Sequence, residues 1–232
     1  MSSRAVFLDL SPLEQGDLDL TPLQDAFSEL VCHEQSTADQ IVERLRGAQV
    51  AIVNKVALSA DTLAACPDLK LILVSATGVN NIDLQAAGER GIVVCNCQAY
   101  GTPTVAQHTL MLLLALATRL PDYQAAVARG RWQESGQFCL LDFPIVELEG
   151  KTLGLLGHGE LGSAVSRLAE AFGMRVLVGN LPGRPKRPER LDLDELLPQV
   201  DALTLHCPLT EQTRNLIGAR ELQLMKPSAF LI

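Results

Sequence analysis

The sequence has no surplus of positive charge, no paired cysteine motif and no hydrophobic run long enough to cross a bilayer, and each absence narrows its function. Against 27 Asp and Glu stand 19 Lys and Arg, a formal net charge of -8. A nucleic acid or an acidic membrane as main partner calls for a basic face, so this balance argues against both. Six cysteines (Cys32, Cys66, Cys95, Cys97, Cys139 and Cys207) are scattered, with no C-x-x-C and no paired Cys/His spacing. That pattern predicts no metal site and reduced, mostly buried thiols. The longest apolar run, Leu110 to Ala117, is about eight residues where a spanning helix needs roughly twenty. It predicts a buried helix. The apolar run in "MSSRAVFLDL" is far too short for a signal peptide, which predicts a cytoplasmic protein. There is no short-period repeat and no low-complexity segment.

What is present is an ordinary globular composition, 47% hydrophobic and 20% charged over 232 residues, enough for a sizeable core and two domains. Short aliphatic runs at 5–10, 50–53, 69–74 and 91–95 read as strands. Between them, "ADQIVERLRGA" (38–48) sets Ile41, Val42 and Leu45 on one helical face. A helix over 104–120 leads through a polar, loop-like stretch around "RGRWQESGQF" to further strands at 151–157, 174–180, 201–207 and the final "AFLI". Strands separated by helices imply parallel sheets with covered faces. The expected fold is α/β, with two Rossmann-like, doubly wound parallel-sheet domains over 1–98 and 99–232, linked by helix 104–120.

One motif carries chemistry. In "TLGLLGHGELGSAVSRLAEAFG", Gly157, Gly159 and Gly162 have G-x-G-x-x-G spacing, weak alone. Here an apolar strand enters the turn, and Leu161, Ala164, Val165, Leu168, Ala169 and Phe172 follow at helical period. Gly157 permits the tight turn, Gly159 lets backbone approach a pyrophosphate, and Gly162 lets the helix pack close to the strand. The diphosphate then rests on the helix N-terminus, with its unpaired N–H groups and positive dipole end. A site for NAD needs an acid at the end of the next strand to accept from the ribose hydroxyls. Asn180 stands there, followed by "LPGRPKRPER". Asn does not repel a 2′-phosphate, and Arg184, Lys186 and Arg187 can pair with one, which favours NADP(H) over NAD(H).

With these residues in view, the chain resembles the D-isomer-specific 2-hydroxyacid dehydrogenases, within them the glycerate dehydrogenase, hydroxypyruvate reductase and glyoxylate reductase group. The blocks that carry the resemblance are 75–96, "TVAQHTLMLLLAL" (104–116), "LEGKTLGLLGHGELG" (148–162) and 200–232, in the family's order. The resemblance implies that Glu160 and Leu161 supply backbone N–H at the phosphate turn and that Asn180 is the ribose position. It sets Cys207 and Pro208, in "HCPL", beside the adenosine half, with His206 lining the same site. It also implies that "ATGV" holds the substrate carboxylate through the backbone at Thr77 and Gly78, with Thr77 near the nicotinamide. Lys55, after Asn54, is a weaker candidate for carboxylate pairing.

The family's reaction moves a hydride between the nicotinamide and the 2-carbon of a small 2-keto or D-2-hydroxy acid. It uses an Arg that clamps the substrate, a His as acid and a Glu that keeps the His protonated. None of the three is matched in these residues. His33, His108, His158 and His206 all have plainer readings; His108, for one, falls in a helix that reads as buried. The expectation is therefore a cofactor domain truncated at its C-terminus, its catalytic residues beyond Ile232, and no activity in residues 1–232 alone. Pro227 and Ser228 read as the turn before a central strand. A second class of reading is a non-catalytic dinucleotide-binding sensor or interaction protein of the same fold. The apolar helix 104–120 suggests a homodimer by family analogy. The partner implied is a small 2-keto or 2-hydroxy acid, with no nucleic acid and no membrane.

Overall fold

The computed structural model describes residues 3–232. The chain forms two compact units, Met1–Ala99 and Tyr100–Ile232.

The first unit runs β1 (Arg4–Phe7), α1 (Thr21–Ala26), β2 (Glu29–Cys32), α2 (Ile41–Arg44), β3 (Val50–Val53), α3 (Ala60–Ala64), β4 (Leu71–Val74), α4 (Leu84–Glu89) and β5 (Val93–Asn96). Its sheet has the order β2-β1-β3-β4-β5, every pair parallel. Alternation along the strands sends Val6, Ala51 and Val53 into one core and Ala5, Phe7, Val50 and Ile52 into another. Both faces are thus covered, and "VAIV" is buried at all four positions.

Two local expectations need correction. The strand β2, "ELVC", was not foreseen: it is an edge strand with Glu29 and Cys32 exposed, so its sequence lacks the apolar run of an inner strand. The helix expected over 38–48 is the single turn α2, with Gly47 at φ +72 just beyond it. Ile41 and Leu45, four apart, are buried, whereas Val42 lies round the helix from them and is exposed.

The second unit runs α5 (Thr102–Ala117), α6 (Leu120–Ala128), α7 (Arg131–Glu134), β6 (Thr152–Leu156), α8 (Glu160–Ala171), β7 (Arg175–Gly179), α9 (Leu193–Leu196), β8 (Ala202–Leu205), α10 (Ala219–Leu224) and β9 (Phe230–Leu231). Its parallel sheet has the order β7-β6-β8-β9. Among the described residues β9 pairs with β8 on one side, and the turn expected before it forms, with Ala229 N–H donating to the Lys226 carbonyl. Leu153, Leu155 and Ala202 pack on α5 and α8, while Leu156 and Leu203 join Leu196, Leu197 and Val200 on the opposite face. Because β6 lies between β7 and β8, the connections leave it in opposite directions and open a crevice at the strands' C-terminal ends.

The helix expected over 104–120 ends at Ala117, because Arg119 takes a left-handed φ of 55 before α6 begins. It is also not buried all round. Leu110, Leu113 and Ala117 face the core, but Met111 is 48% exposed, Leu112 37% and Leu116 43%, and His108 is exposed too. Leu168 and Phe172 of the glycine-turn helix are likewise exposed despite their periodicity. The cysteines correct another expectation: all six are free, yet only Cys66 is buried, and Cys32, Cys95 and Cys97 are exposed.

Candidate functional site

The crevice beside β6 is built from the glycine turn upward. Gly157, directly after β6, holds φ +105, and a Cβ there would stand 2.6 Å from the backbone of His206 and Cys207. A Cβ on Gly162 would stand 2.0 Å from the Gly157 carbonyl oxygen, so α8 reaches the strand only because that position is bare. Gly159 differs from both: nothing lies within 4 Å of where its Cβ would be. It is the N-cap of α8 and its helix has no side-chain cap, which leaves the first-turn N–H groups facing open space. A close-packed turn and an open helix N-terminus fit a bound diphosphate. Glu160 turns its carboxylate to α5, accepting from Thr102 Oγ1 at 2.8 Å, so at the turn it offers its backbone N–H.

A cavity of about 420 Å³ opens from this turn. Gly157, His158 and Gly159 form one end; His206, Cys207 and Pro208, after β8, form a wall; Asn180, Leu181, Arg184, Pro185, Arg187 and Arg190, after β7, form the rest. Of the expected cofactor residues, Gly157, Gly159, Asn180, Arg184, Arg187, Cys207 and Pro208 come together here, with Glu160, Leu161 and Gly162 framing the helix start. Lys186 does not join them. Its ammonium is paired with Asp192, which raises the Lys186 pKa and, with the hydrogen bond from Asn180, lowers that of Asp192. The sequence reading missed Arg190, although it closes the same basic run, and missed Asp192, although D-x-x-E before an apolar run is a capping-box signature; the arm from Asp192 N–H to Glu195 Oε2 is formed at 3.3 Å.

The polar side chains of the wall are quiet. His206 Nε2 lies 3.0 Å from Thr204 Oγ1, and burial lowers its pKa by disfavouring the charged ring. Burial pushes the Cys207 thiol up, against a backbone hydrogen bond and the positive charge of Arg184.

In the first unit, Thr77 and Gly78 follow β4, and Lys55 follows β3, at the same end of one sheet. Thr77 and Gly78 are exposed, with the Thr77 carbonyl held by Asn96 Nδ2 at 2.7 Å. Asn81 Nδ2 donates to the Val56 carbonyl at 2.9 Å, tying the 54–56 segment to the loop of Thr77 and Gly78. The N–H groups of Asn54, Lys55 and Val56 all donate to Asp9, so none of them is left for a ligand, whereas the Lys55 side chain is exposed. Asp9, Asn81 and Asn96 went unnoticed in the sequence because a single polar residue near a strand end has no periodic signature. Among the described residues no group of His, Cys, Asp and Glu is arranged to hold a metal, and no helix is long and apolar enough to cross a membrane.

Comparison with known proteins adds an independent line. The family model described as D-isomer specific 2-hydroxyacid dehydrogenase, NAD binding domain, matches residues 110–232. A glycerate dehydrogenase of Methylorubrum extorquens is 43% identical over 100% of this chain and 72% of its own length. A hydroxypyruvate reductase of Blautia hydrogenotrophica is 31% identical over 99% of this chain and 73% of its own. Among solved structures, a D-lactate dehydrogenase from Aquifex aeolicus complexed with NAD and lactic acid superposes with a TM-score of 0.82 at 29% identity. It covers 97% of this chain and 67% of its own.

Proposed function

The chain belongs to the D-isomer specific 2-hydroxyacid dehydrogenase family, and on that premise we propose that it serves to reduce a small 2-keto acid, hydroxypyruvate or glyoxylate, to the D-2-hydroxy acid, with NADPH preferred to NADH. The observation that carries the reading is the open N-terminus of α8 at Gly159, continuous with a cavity rimmed by arginines. The nicotinamide supplies the hydride when bound. Glu160 and Leu161 hold the diphosphate through backbone N–H, the adenosine half lies along Cys207 and Pro208, and the basic loop after Asn180 meets its ribose. Thr77 and Gly78 hold the substrate carboxylate through backbone N–H, supported by the charge of Lys55.

The proton needed at the substrate oxygen is assigned to a group outside residues 1–232. Burial disfavours the charged form of His206, whose ring is bonded to Thr204, and His108 sits exposed on a helix. The exposed apolar side of α5 supports a homodimer, and six free cysteines support a reducing compartment, the cytoplasm.

The test is kcat/KM for hydroxypyruvate, glyoxylate and pyruvate, each with NADPH and with NADH, on the natural gene product. The expected result is turnover of the first two with NADPH ahead of NADH. Equal or better use of NADH overturns the cofactor preference, and hydroxypyruvate-dependent NADPH oxidation by residues 1–232 alone overturns the assignment of the acid.

A further inference from the structure

We infer that Arg190 is a specificity-determining residue for a phosphate monoester on the adenosine ribose, and that Asn180 is the positioning residue that holds it there. The inference rests on the dinucleotide reading above, adds Arg190 to it and gives Asn180 a different part. An amide side chain at the end of β7 has two donor hydrogens and one acceptor oxygen to offer a ribose. Here both donor hydrogens, and one of the oxygen's two lone pairs, are committed to the chain itself. Nδ2 of Asn180 donates to the Arg190 carbonyl at 3.2 Å and to Asp192 Oδ1 at 3.2 Å, and Oδ1 accepts the Arg187 N–H at 3.1 Å. Its backbone N–H donates to the Leu191 carbonyl at 2.8 Å. Asn180 is thus a staple across 187–192, with no side-chain donor left for a hydroxyl.

The staple fixes two arginines by their backbone, and both line the cavity with Arg184. Nearby negative charge is largely spoken for. Asp192 is taken by Lys186 and Asn180, and Glu189 stands 4.0 Å from Arg187 Nη1. Arg184 and Arg190 have no ion-pair partner among the described residues. Arg190 is also half-buried where Arg184 and Arg187 are exposed, so solvent and salt screen it least. A planar guanidinium, unpaired and held at its backbone, suits the oxygens of a phosphate dianion and gives a bare hydroxyl much less.

The experiment measures Kd for NADPH, NADH, adenosine 2′,5′-bisphosphate and adenosine 5′-monophosphate on the wild-type chain, Arg190→Gln, Asn180→Ala and the double variant. Arg190→Gln keeps a polar, hydrogen-bonding side chain, though a shorter one, and removes its charge. It is expected to weaken NADPH and the bisphosphate about tenfold, the scale of one charge-assisted hydrogen bond, and to leave NADH and the monophosphate within about twofold. Asn180→Ala is expected to give the same pattern, and the double variant to fall short of the product of the two, because Asn180 acts through Arg190. A merely structural Asn180 would weaken all four ligands alike. An unchanged NADPH-to-NADH ratio in Arg190→Gln, with both ligands bound, overturns this inference alone. A wild-type chain that binds neither dinucleotide overturns the dinucleotide reading and this inference together.

Discussion

Asp9 Oδ2 accepts the backbone N–H of Lys55 at 2.6 Å, across 46 residues of sequence. The same carboxylate takes the N–H groups of Asn54 and Val56, and Asp9 is only 5% exposed. Three converging N–H groups form an anion-binding concavity, and here the protein fills it with its own side chain. Asp9→Ala leaves one buried and two part-buried donors without this partner, each such loss costing about 1–3 kcal/mol where water does not replace it. The expected outcome is a fall in unfolding free energy of about 3 kcal/mol or more, read from the urea transition of the first unit. A change below about 1 kcal/mol would mean that water takes the place of the carboxylate.

The three glycines of the turn should separate folding from binding. Gly162→Ala forces a methyl group to within 2.0 Å of a backbone oxygen, and Gly157→Ala meets backbone at 2.6 Å with a φ that L-residues avoid. Each is expected to destabilise the second unit by about 1–3 kcal/mol or more. Gly159→Ala, with open space around it, should melt like the wild type yet bind NADPH about tenfold more weakly, because the new Cβ occupies the approach of the diphosphate. Equal NADPH affinity in Gly159→Ala and wild type would show that the ligand does not pass over this turn.

Where a period or a spacing exists, the sequence was readable. "VAIV" is a strand at the positions expected, and G-x-G-x-x-G between an apolar run and an amphipathic stretch marks the crevice. What escaped reading depends on long-range partners. Nothing local distinguishes Lys186 from Arg190: the first is drawn away by Asp192, and the second is turned to the cavity by a bond from Asn180 to its carbonyl. The run Leu110–Ala117 is apolar on every side, so its pattern gives no sign that Met111, Leu112 and Leu116 stay exposed. Edge strand β2 was lost for the opposite reason, being too polar to resemble a strand buried on both faces.

That exposed side of α5 is expected to be covered by a second copy. A groove of about 800 Å³ runs between α5 and α8, lined by Leu110, Met111, Leu114, Leu168 and Phe172. Met111→Lys adds an uncompensated charge there, at a site away from the glycine turn. Sedimentation velocity should find the wild type as a dimer and Met111→Lys shifted to monomer, with its NADPH affinity retained. A monomeric wild type at tens of micromolar would rule the dimer out.

The pH dependence of folding should carry the mark of His206. Burial lowers its pKa from the ordinary 6.5, so the folded chain resists the proton that the unfolded chain accepts. Below pH 6.5 the unfolded state then binds more protons than the folded state, and stability rises with pH in that interval. The contribution is complete above the unfolded pKa of 6.5 and is lost as pH falls toward the folded value. His33 in the first unit is lowered in the same sense, by burial and then by Arg44 and Arg4, and adds its own slope there. The second unit should therefore become easier to unfold in urea between pH 7 and 5, and His206→Gln should flatten that part of the profile while leaving the first unit's slope intact. Gln keeps a polar group opposite Thr204 Oγ1 without a titrating ring. An unaltered slope between pH 7 and 5 in His206→Gln would show that His206 does not carry the acid sensitivity of the second unit; the lowered carboxylates of Asp192, Asp194 and Asp201 act below that interval.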